Sequence, residues 1–474
     1  MFPLLDFSEN IAIITDNDER LTYKQLFQET EEFKAHLPKW GVICCLCKNK
    51  IGSLIGYVSG ICNGYPLILL DGGRDAAYCS SYFDQYLPEY VWMPSDRVSE
   101  ICGNVLYERF GYSLVEVAHR SKKSLSPINH ELSLCLTTSG STGSPKLVRL
   151  TLENIRSNAE SIAEYLKIDE KERPITTLPM YYSFGLSVIN SHLIKGATIL
   201  LTDSTVFSST FWNFFKRSFP TSIAGVPFTY EMLERMGFFK MDLPSLKTMI
   251  QAGGKLNVDI IKKYLQFAQE TERSFIVMYG QTEAGPRMSY LPFETALQRP
   301  SSIGIPIPGG RFEIIDTDGK LIDTPDVDGE LVFKGPSVCM GYAESRSDLD
   351  KGDENRGVLR TGDVAHRDAE GYYYITGRLK RFVKIWGNRY NLDAIEQLLK
   401  PITTDSACVG DDSKIYVFIE DPAYIDAVTL MLQKKLQLEK SCFSVKVIQS
   451  IPKSASGKIQ YSLLKDAALA HTDI

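Results

Sequence analysis

Residues 132–146 read LSLCLTTSGSTGSPK. The first five, LSLCL, are an apolar run of strand length, and the chain leaves it directly into a loop of hydroxyls, glycines and one lysine. Gly140 and Gly143 let the backbone turn tightly and approach a phosphate, with N–H groups pointing inward. Thr138, Ser139, Ser141 and Thr142 add hydroxyl donors, and Lys146 adds positive charge. A plain Ser/Gly surface turn would not need this density of donors behind a strand. Nor is it the usual GxxxxGK[ST] loop, because Gly140 and Gly143 are too close together and Pro145 precedes the lysine. Pro145 also disfavours helical geometry at Ser144.

The same strand-then-loop grammar recurs around this segment. VICCLC (42–47), YPLILL (65–70), EYVWM (89–93), ATILLTD (197–203), TSIAGVP (221–227) and SFIVMYG (274–280) read as strands with turn signals behind them. Segments of helical period lie between several of them, such as 151–166 with Thr151 as its N-cap. Strands alternating with helices imply an α/β fold of parallel sheets with helices on both faces. Ligand chemistry in such sheets gathers at the carboxyl ends of strands. After Gly304 the pattern changes: GGRFEIID, GELVFKG and GYYYITGR are short strands parted by turn residues, a small antiparallel or β-barrel-like unit. Beyond Gly377 strands and helices mix again in a smaller α+β domain. The expected boundary gives domains 1–379 and 380–474, joined by a hinge of few residues.

Composition sets outer limits. The chain has 474 residues, 44% hydrophobic and 23% charged, which is globular usage and long enough for more than one domain. A net charge of −6 without a Lys/Arg-rich run argues against nucleic acid as a partner. The most apolar stretch, 54–70, is interrupted by Gly56, Asn63, Gly64 and Pro66, so it reads as helix, turn and strand, not a membrane span. The start lacks the basic region and cleavage site of a signal peptide, so a cytoplasmic protein is expected. Ten cysteines show neither paired zinc-binding clusters nor a CxxC redox motif, and read as reduced structural residues.

With these pieces in place the chain resembles the adenylate-forming (AMP-binding) superfamily of acyl- and aryl-CoA synthetases, stand-alone adenylation domains and luciferase-like enzymes. The landmarks come in order: TSGSTGSPK (138–146), MYGQTE (278–283), RTGD (360–363), GRLKRFVKIWGNR (377–389) and PKSASGK (452–458). The resemblance implies an acid–thiol ligase that uses ATP and Mg²⁺ to convert a small carboxylic acid to its acyl-adenylate. The acyl group then passes to the thiol of CoA or of a phosphopantetheinyl acyl or peptidyl carrier protein. Activation of this kind needs the triphosphate held, its charge neutralised and the carboxylate aligned, so positioning and electrostatics dominate.

By resemblance, Tyr279 stacks on adenine beside Gly280 and Gln281, and Gly253, Gly254 and Lys255 lie near the nucleotide. Thr282 donates to a phosphate, and Glu283 supplies the hard oxygen that Mg²⁺ favours. Asp363 holds the ribose hydroxyls, with Ile375 and Arg378 beside it. Lys458, in a flexible Ser/Gly loop, is the catalytic lysine of adenylation. Lys380 is the hinge of a mobile C-terminal domain, and Gly387 lines a channel for the thiol arm. The acyl pocket draws on Tyr181, Tyr182, Ser183 and Gly185, and on Val226 and Pro227 of GVPFTY. Taken alone, a strand-end Tyr279 would read as core, and a tail Lys458 as surface.

Two positions depart from the family pattern. Tyr182 stands where acyl-CoA synthetases often carry His and amino-acid-activating domains carry Asp. Asn391 stands where many relatives carry Glu. Two other readings remain beside the ligase: an adenylating enzyme with a different second step, such as amide formation, and a nucleotide-binding homologue that has lost catalysis.

Overall fold

The computed structural model describes every residue except 119–125, 138–145, 386–387, 404, 412, 437, 454–458 and 470–474. The chain divides into two compact units. Of the described residues, the first comprises those within 1–312 and 333–359, and the second those within 313–332 and 360–474.

The first unit is built on two sheets. In one, Leu132–Thr137, Leu67–Asp71, Ile43–Cys47 and Tyr90–Pro94 run parallel side by side. Antiparallel strands flank them: Leu147–Thr151 and then Gly341–Ala343 on one side, Tyr112–Val117 and Gly103–Arg109 on the other. In the other sheet, Ser274–Tyr279, Thr248–Gln251, Ser222–Gly225, Pro174–Ile175, Ile199–Leu201 and Ile11–Thr15 form the parallel core. The apolar runs quoted above are these strands, and all five residues of Ile43–Cys47 are buried. A strand covered on both faces has no polar alternation to show.

Helices Ile51–Asn63 and Ser183–Leu193 are buried almost all round. They share one apolar cluster with residues of both sheets, among them Ile13, Ile43, Tyr57, Leu67, Leu186 and Ile199. Helices without a charged face, with polar side chains hydrogen-bonded inside as Tyr57 Oη is to Asn190 Oδ1, belong in the interior of a large unit. Gly56 lets the first helix close on the sheet, since a Cβ there would lie 2.2 Å from the Trp92 ring. Thr151 caps helix Leu152–Tyr165 in a box with Asn154, at the position expected. Eight cysteines, Cys44, Cys45, Cys47, Cys79, Cys135, Cys339, Cys408 and Cys442, are free and buried. Burial raises the pKa of several, Cys45 and Cys135 among them, which keeps them as inert thiols.

The second unit contributes to a four-stranded sheet in the order Arg311–Ile315, Gly329–Lys334, Val358–Arg367 and Tyr373–Arg378. Beyond it, Val383, Ile395, Leu399, Val417, Val428 and Phe443 belong to a cluster formed only of residues after position 380. Arg381 organises this part: its guanidinium meets Asp393 at 2.8 Å and Glu396 at 2.6 Å and lies 3.7 Å from the centre of the Tyr461 ring. Asn391 also has a structural task. Its Oδ1 accepts from the N–H groups of Asp393 and Ala394, capping helix Leu392–Leu399, while its Nδ2 donates to Thr376 O at 2.9 Å. A short amide does both, which accounts for Asn at this position.

Candidate active site

Strand Ser274–Tyr279 delivers the MYGQTE segment to the carboxyl edge of its sheet. Tyr279 is half-buried there, and its ring centre lies 6.3 Å from that of Phe312. Gly280 is needed for packing: a Cβ would fall 1.7 Å from Pro286 O. The chain then makes a short 3₁₀ turn over Thr282–Ala284, closed by Gly285 at φ 78°. Gln281, Thr282 and Glu283 are all half-buried.

Thr282 does not stand alone. Its Oγ1 lies 3.0 Å from Ser183 Oγ, at the start of helix Ser183–Leu193, so the segment expected at the acid and the motif expected at the phosphates meet in one hydrogen bond. Glu283 is braced by a residue that sequence reasoning did not find. Tyr342 Oη donates to Glu283 Oε1 at 2.8 Å. Burial, and then the Glu283 carboxylate, hold this phenol far above its ordinary pKa, so it remains a donor. Lys146 Nζ sits 3.7 Å from the centre of the same ring and 3.5 Å from Glu344. Tyr342 thus joins the end of the phosphate loop to the predicted metal ligand.

The Tyr342 strand is itself held by buried Arg149. Its Nε donates to Tyr342 O at 3.1 Å and its Nη2 to Glu354 Oε2 at 2.6 Å. Gly341 sits at φ 130°, a conformation that favours glycine, and a Cβ there would lie 2.5 Å from Glu354 Oε2. Neither Arg149 nor Tyr342 carries a motif signal. The usable hint was one arginine inside the otherwise apolar strand LVRLT.

At the next strand edge, Gly253 (φ 84°) closes against two expected pocket residues: a Cβ would meet Tyr182 Oη at 2.8 Å and Val226 Cγ1 at 3.0 Å. Gln251, also missed, is buried and donates from Nε2 to Gly254 O at 3.0 Å, fixing this turn. Lys255 is exposed. Pro227 opens helix Pro227–Arg235, 3.2 Å from where a Gly254 Cβ would be. Tyr182 shares an apolar cluster with Phe184, Val226, Ala252 and Met278. Burial pushes its phenol up to about 12, so it is neutral. Tyr181 faces elsewhere, packing on the other cluster, with Asp71 beside its hydroxyl. Gly185 is required by the backbone, because a Cβ would fall 2.3 Å from Pro179 O.

In the second unit, Asp363 is buried and accepts from Arg378 Nε at 2.9 Å. The two are register partners across antiparallel strands, with Ile375 opposite Ala365 further along. Gly362, at φ 70°, turns the chain just before the carboxylate. The predicted residues Thr138, Ser139, Gly140, Ser141, Thr142, Gly143, Gly387 and Lys458, and the side chain of Lys380, lie outside the described residues.

The donor set suits a nucleotide with Mg²⁺. A hard carboxylate (Glu283), paired hydroxyls (Thr282, Ser183) and a cation (Lys146) stand in connected contact, and a half-buried tyrosine face ends the strand that carries them.

An α/β sheet ending in such a site defines the class of nucleotide-activating enzymes. The chain belongs to the AMP-binding enzyme family, whose profile matches residues 94–343. A long-chain-fatty-acid–CoA ligase of Escherichia coli is 29% identical over 362 residues, covering 73% of this chain and 63% of that protein. Oxalate–CoA ligase of Arabidopsis thaliana is 27% identical over 351 residues, covering 70% and 67%. The chain thus matches about two thirds of the length of these relatives. In three dimensions it is similar to o-succinylbenzoate–CoA synthetase from Bacillus subtilis, solved with its acyl-adenylate. That comparison gives a TM-score of 0.76 at 22% identity over 98% of both chains, and it establishes the fold.

Proposed function

We propose that this chain is an ATP- and Mg²⁺-dependent carboxylate ligase acting in two half-reactions. The observation that carries the reading is the contact of Ser183 with Thr282 and of Tyr342 with Glu283, which brings the acid-side and phosphate-side segments together. In the first half-reaction a carboxylate oxygen bonds to the α-phosphorus of ATP as the bond to the β-phosphate oxygen breaks, releasing pyrophosphate. Thr282 and the 138–146 loop hold phosphate oxygens, and Lys146 and Lys458 offset their charge. Glu283 would hold Mg²⁺, which supplies further neutralisation of the phosphates. In the second half-reaction a thiolate bonds to the acyl carbonyl and AMP leaves.

The relatives named above are CoA ligases, which favours CoA as acceptor over a carrier protein and thioester formation over amide formation. Lys380 acts as the hinge between domains 1–379 and 380–474. The separate apolar cluster after position 380 supports that division, and Asp363 and Arg378 serve the ribose. A cytoplasmic location is consistent with the described residues, no helix of which is long and apolar enough to cross a membrane.

The acid is not an α-amino acid. Tyr182, neutral and mostly buried, offers no counter-charge to an ammonium group. The test is acid-dependent ATP–pyrophosphate exchange over a panel of acids, followed by thioester formation with CoA. Exchange without any acid requirement, or none with any acid, would refute the reading, as would an α-amino acid outperforming all others.

A further inference from the structure

Arg287 stands two residues beyond Gly285, in a segment that is otherwise apolar, and its side chain is 1% exposed. Its partners are weak for a cation. Nε donates to Ser187 Oγ at 3.1 Å, Nη1 approaches Met278 Sδ at 3.6 Å, and the guanidinium lies 5.1 Å from the centre of the Phe184 ring. The Tyr165 hydroxyl is also beside it. Among the described residues Nη2 has no hydrogen-bond partner, and none of these neighbours is a carboxylate. A buried charge ordinarily has a pairing anion, because desolvation is costly without one. Burial lowers the pKa of this guanidinium, yet arginine stays protonated, so the charge is left to be balanced by something else.

The surroundings point to what that is. Phe184, Met278 and Tyr165 belong to the same cluster as Tyr182 and Val226, two residues of the expected acyl pocket. On the other face of helix Ser183–Leu193 a small cavity is lined by Asn158, Ser183, Ser187, Asn190 and Pro286 and by apolar Leu134, Leu136 and Leu186. Ser187, in that lining, holds the Arg287 Nε, and Ser183, one helical turn away, holds Thr282. Asn158 Nδ2 donates to Arg287 O at 2.8 Å, while its Oδ1 is buried without a partner. A cation without a carboxylate partner thus lies against the cluster that contains Tyr182 and Val226, and a spare acceptor lies near it, among the described residues. His192, the other titratable group near Arg287, is held neutral by burial and by that guanidinium, and supplies no anion.

We propose that Arg287 is a specificity-determining residue that pairs with a second negative charge on the substrate, which makes the preferred acids dicarboxylates or acids with another distal anionic group. This rests on the ligase reading above and names its substrate class. The carboxylate to be activated lies toward Thr282, and the distal carboxylate accepts from the Arg287 guanidinium, with a bound water or hydroxyl free to donate to Asn158 Oδ1.

The test compares dicarboxylic acids of increasing chain length with their monomethyl esters in ATP–pyrophosphate exchange, for the wild type, Arg287→Met and Arg287→Lys. The wild type should favour one dicarboxylate over its monoester by about a hundredfold or more, as sites built around a buried polar partner do. Arg287→Met should collapse that ratio toward one, and Arg287→Lys should restore part of it. Thermal melting gives a second readout. The favoured dicarboxylate should raise the Tm of the wild type and not of Arg287→Met. A wild type that prefers the monoester, or variants that leave the ratio unchanged, would overturn the proposal while the ligase reading stood. No exchange with any acid would instead refute the ligase reading, and the melting comparison would still decide whether Arg287 binds the dianion.

Discussion

Tyr342→Phe isolates one contact in the site. It removes the hydroxyl that donates to Glu283 Oε1 at 2.8 Å and keeps the ring against which Lys146 lies at 3.7 Å. A hydrogen bond to a charged acceptor contributes about 1.5–3 kcal/mol when well shielded. Tyr342 is 37% exposed and Glu283 half-buried, so solvent screening moves the expected loss to about 1–2 kcal/mol. That corresponds to a fall of about five- to thirtyfold in kcat/KM for pyrophosphate exchange. Because the hydroxyl orients a proposed Mg²⁺ ligand, the defect should be larger at limiting Mg²⁺ and partly relieved at saturation. Thermal melting should show a fold of nearly wild-type stability. Exchange within twofold of wild type at limiting Mg²⁺ would refute the bracing role. A defect of equal size at every Mg²⁺ concentration would separate Tyr342 from the metal.

Glu283→Gln should depress exchange by a few kcal/mol of transition-state stabilisation, roughly a hundredfold or more, with the fold intact; near-normal exchange at limiting Mg²⁺ would remove Glu283 from the metal site. Lys458→Ala should lose most exchange yet convert supplied acyl-adenylate to thioester, whereas Gly387→Leu should keep exchange and fail with the thiol. Equal loss of both half-reactions in each variant would contradict an alternating C-terminal domain. Burial lowers the His192 pKa to about 3, against 6.5 for the free side chain, so the folded state binds fewer protons than the unfolded. Stability from this site is therefore complete above pH 6.5 and falls as pH drops below it, by about 1.4 kcal/mol per pH unit. His192→Asn should flatten the decline of Tm between pH 7 and 5 relative to wild type, and parallel curves would show that His192 is not the group responsible.

The sheets were legible because strands buried on both faces are written as short unbroken apolar runs between turn residues. YPLILL, EYVWM and SFIVMYG map onto Leu67–Asp71, Tyr90–Pro94 and Ser274–Tyr279. The Tyr279–Glu283 segment could be singled out only through its resemblance to a motif contiguous in sequence, since Tyr279 taken alone reads as core. The braces could not be singled out: Tyr342 and Glu283 are 59 residues apart, and Arg149 and Glu354 are 205 apart. Such pairs leave no spacing signal. Tyr181 and Tyr182 were read together as pocket residues, but consecutive residues ahead of a helix project apart, and only Tyr182 joins the cluster of Val226 and Ala252. Gly280 and Gly185 were expected beside the nucleotide and in the acyl pocket, and the structure adds a packing requirement at both. The space they leave is filled by the backbone of Pro286 and Pro179, so side chains there would disturb packing before they touched a ligand.

The position of Glu283 follows from how the strand opposite it is tied down. Gly341–Ala343 pairs with Leu147–Thr151 in antiparallel register, Tyr342 opposite Val148 and Ala343 opposite Leu147. Lys146 is the residue immediately before that strand, so its cation and the Tyr342 hydroxyl are fixed by the same ladder. Arg149 adds hydrogen bonds to Tyr342 O and Gly352 O and an ion pair with Glu354, and the backbone N–H of Cys339 donates to Glu283 O at 2.9 Å. Glu283 is thus held through both its main chain and its side chain by one short segment, 339–342. A displacement of that segment moves the carboxylate and the ring under Lys146 together, so the proposed metal ligand and the proposed phosphate-binding cation keep their spacing. The cost of losing Arg149 should therefore appear as misplacement of Glu283 as well as lost stability, because Tyr342 O and the Glu354 carboxylate would lose the donor that ties them together.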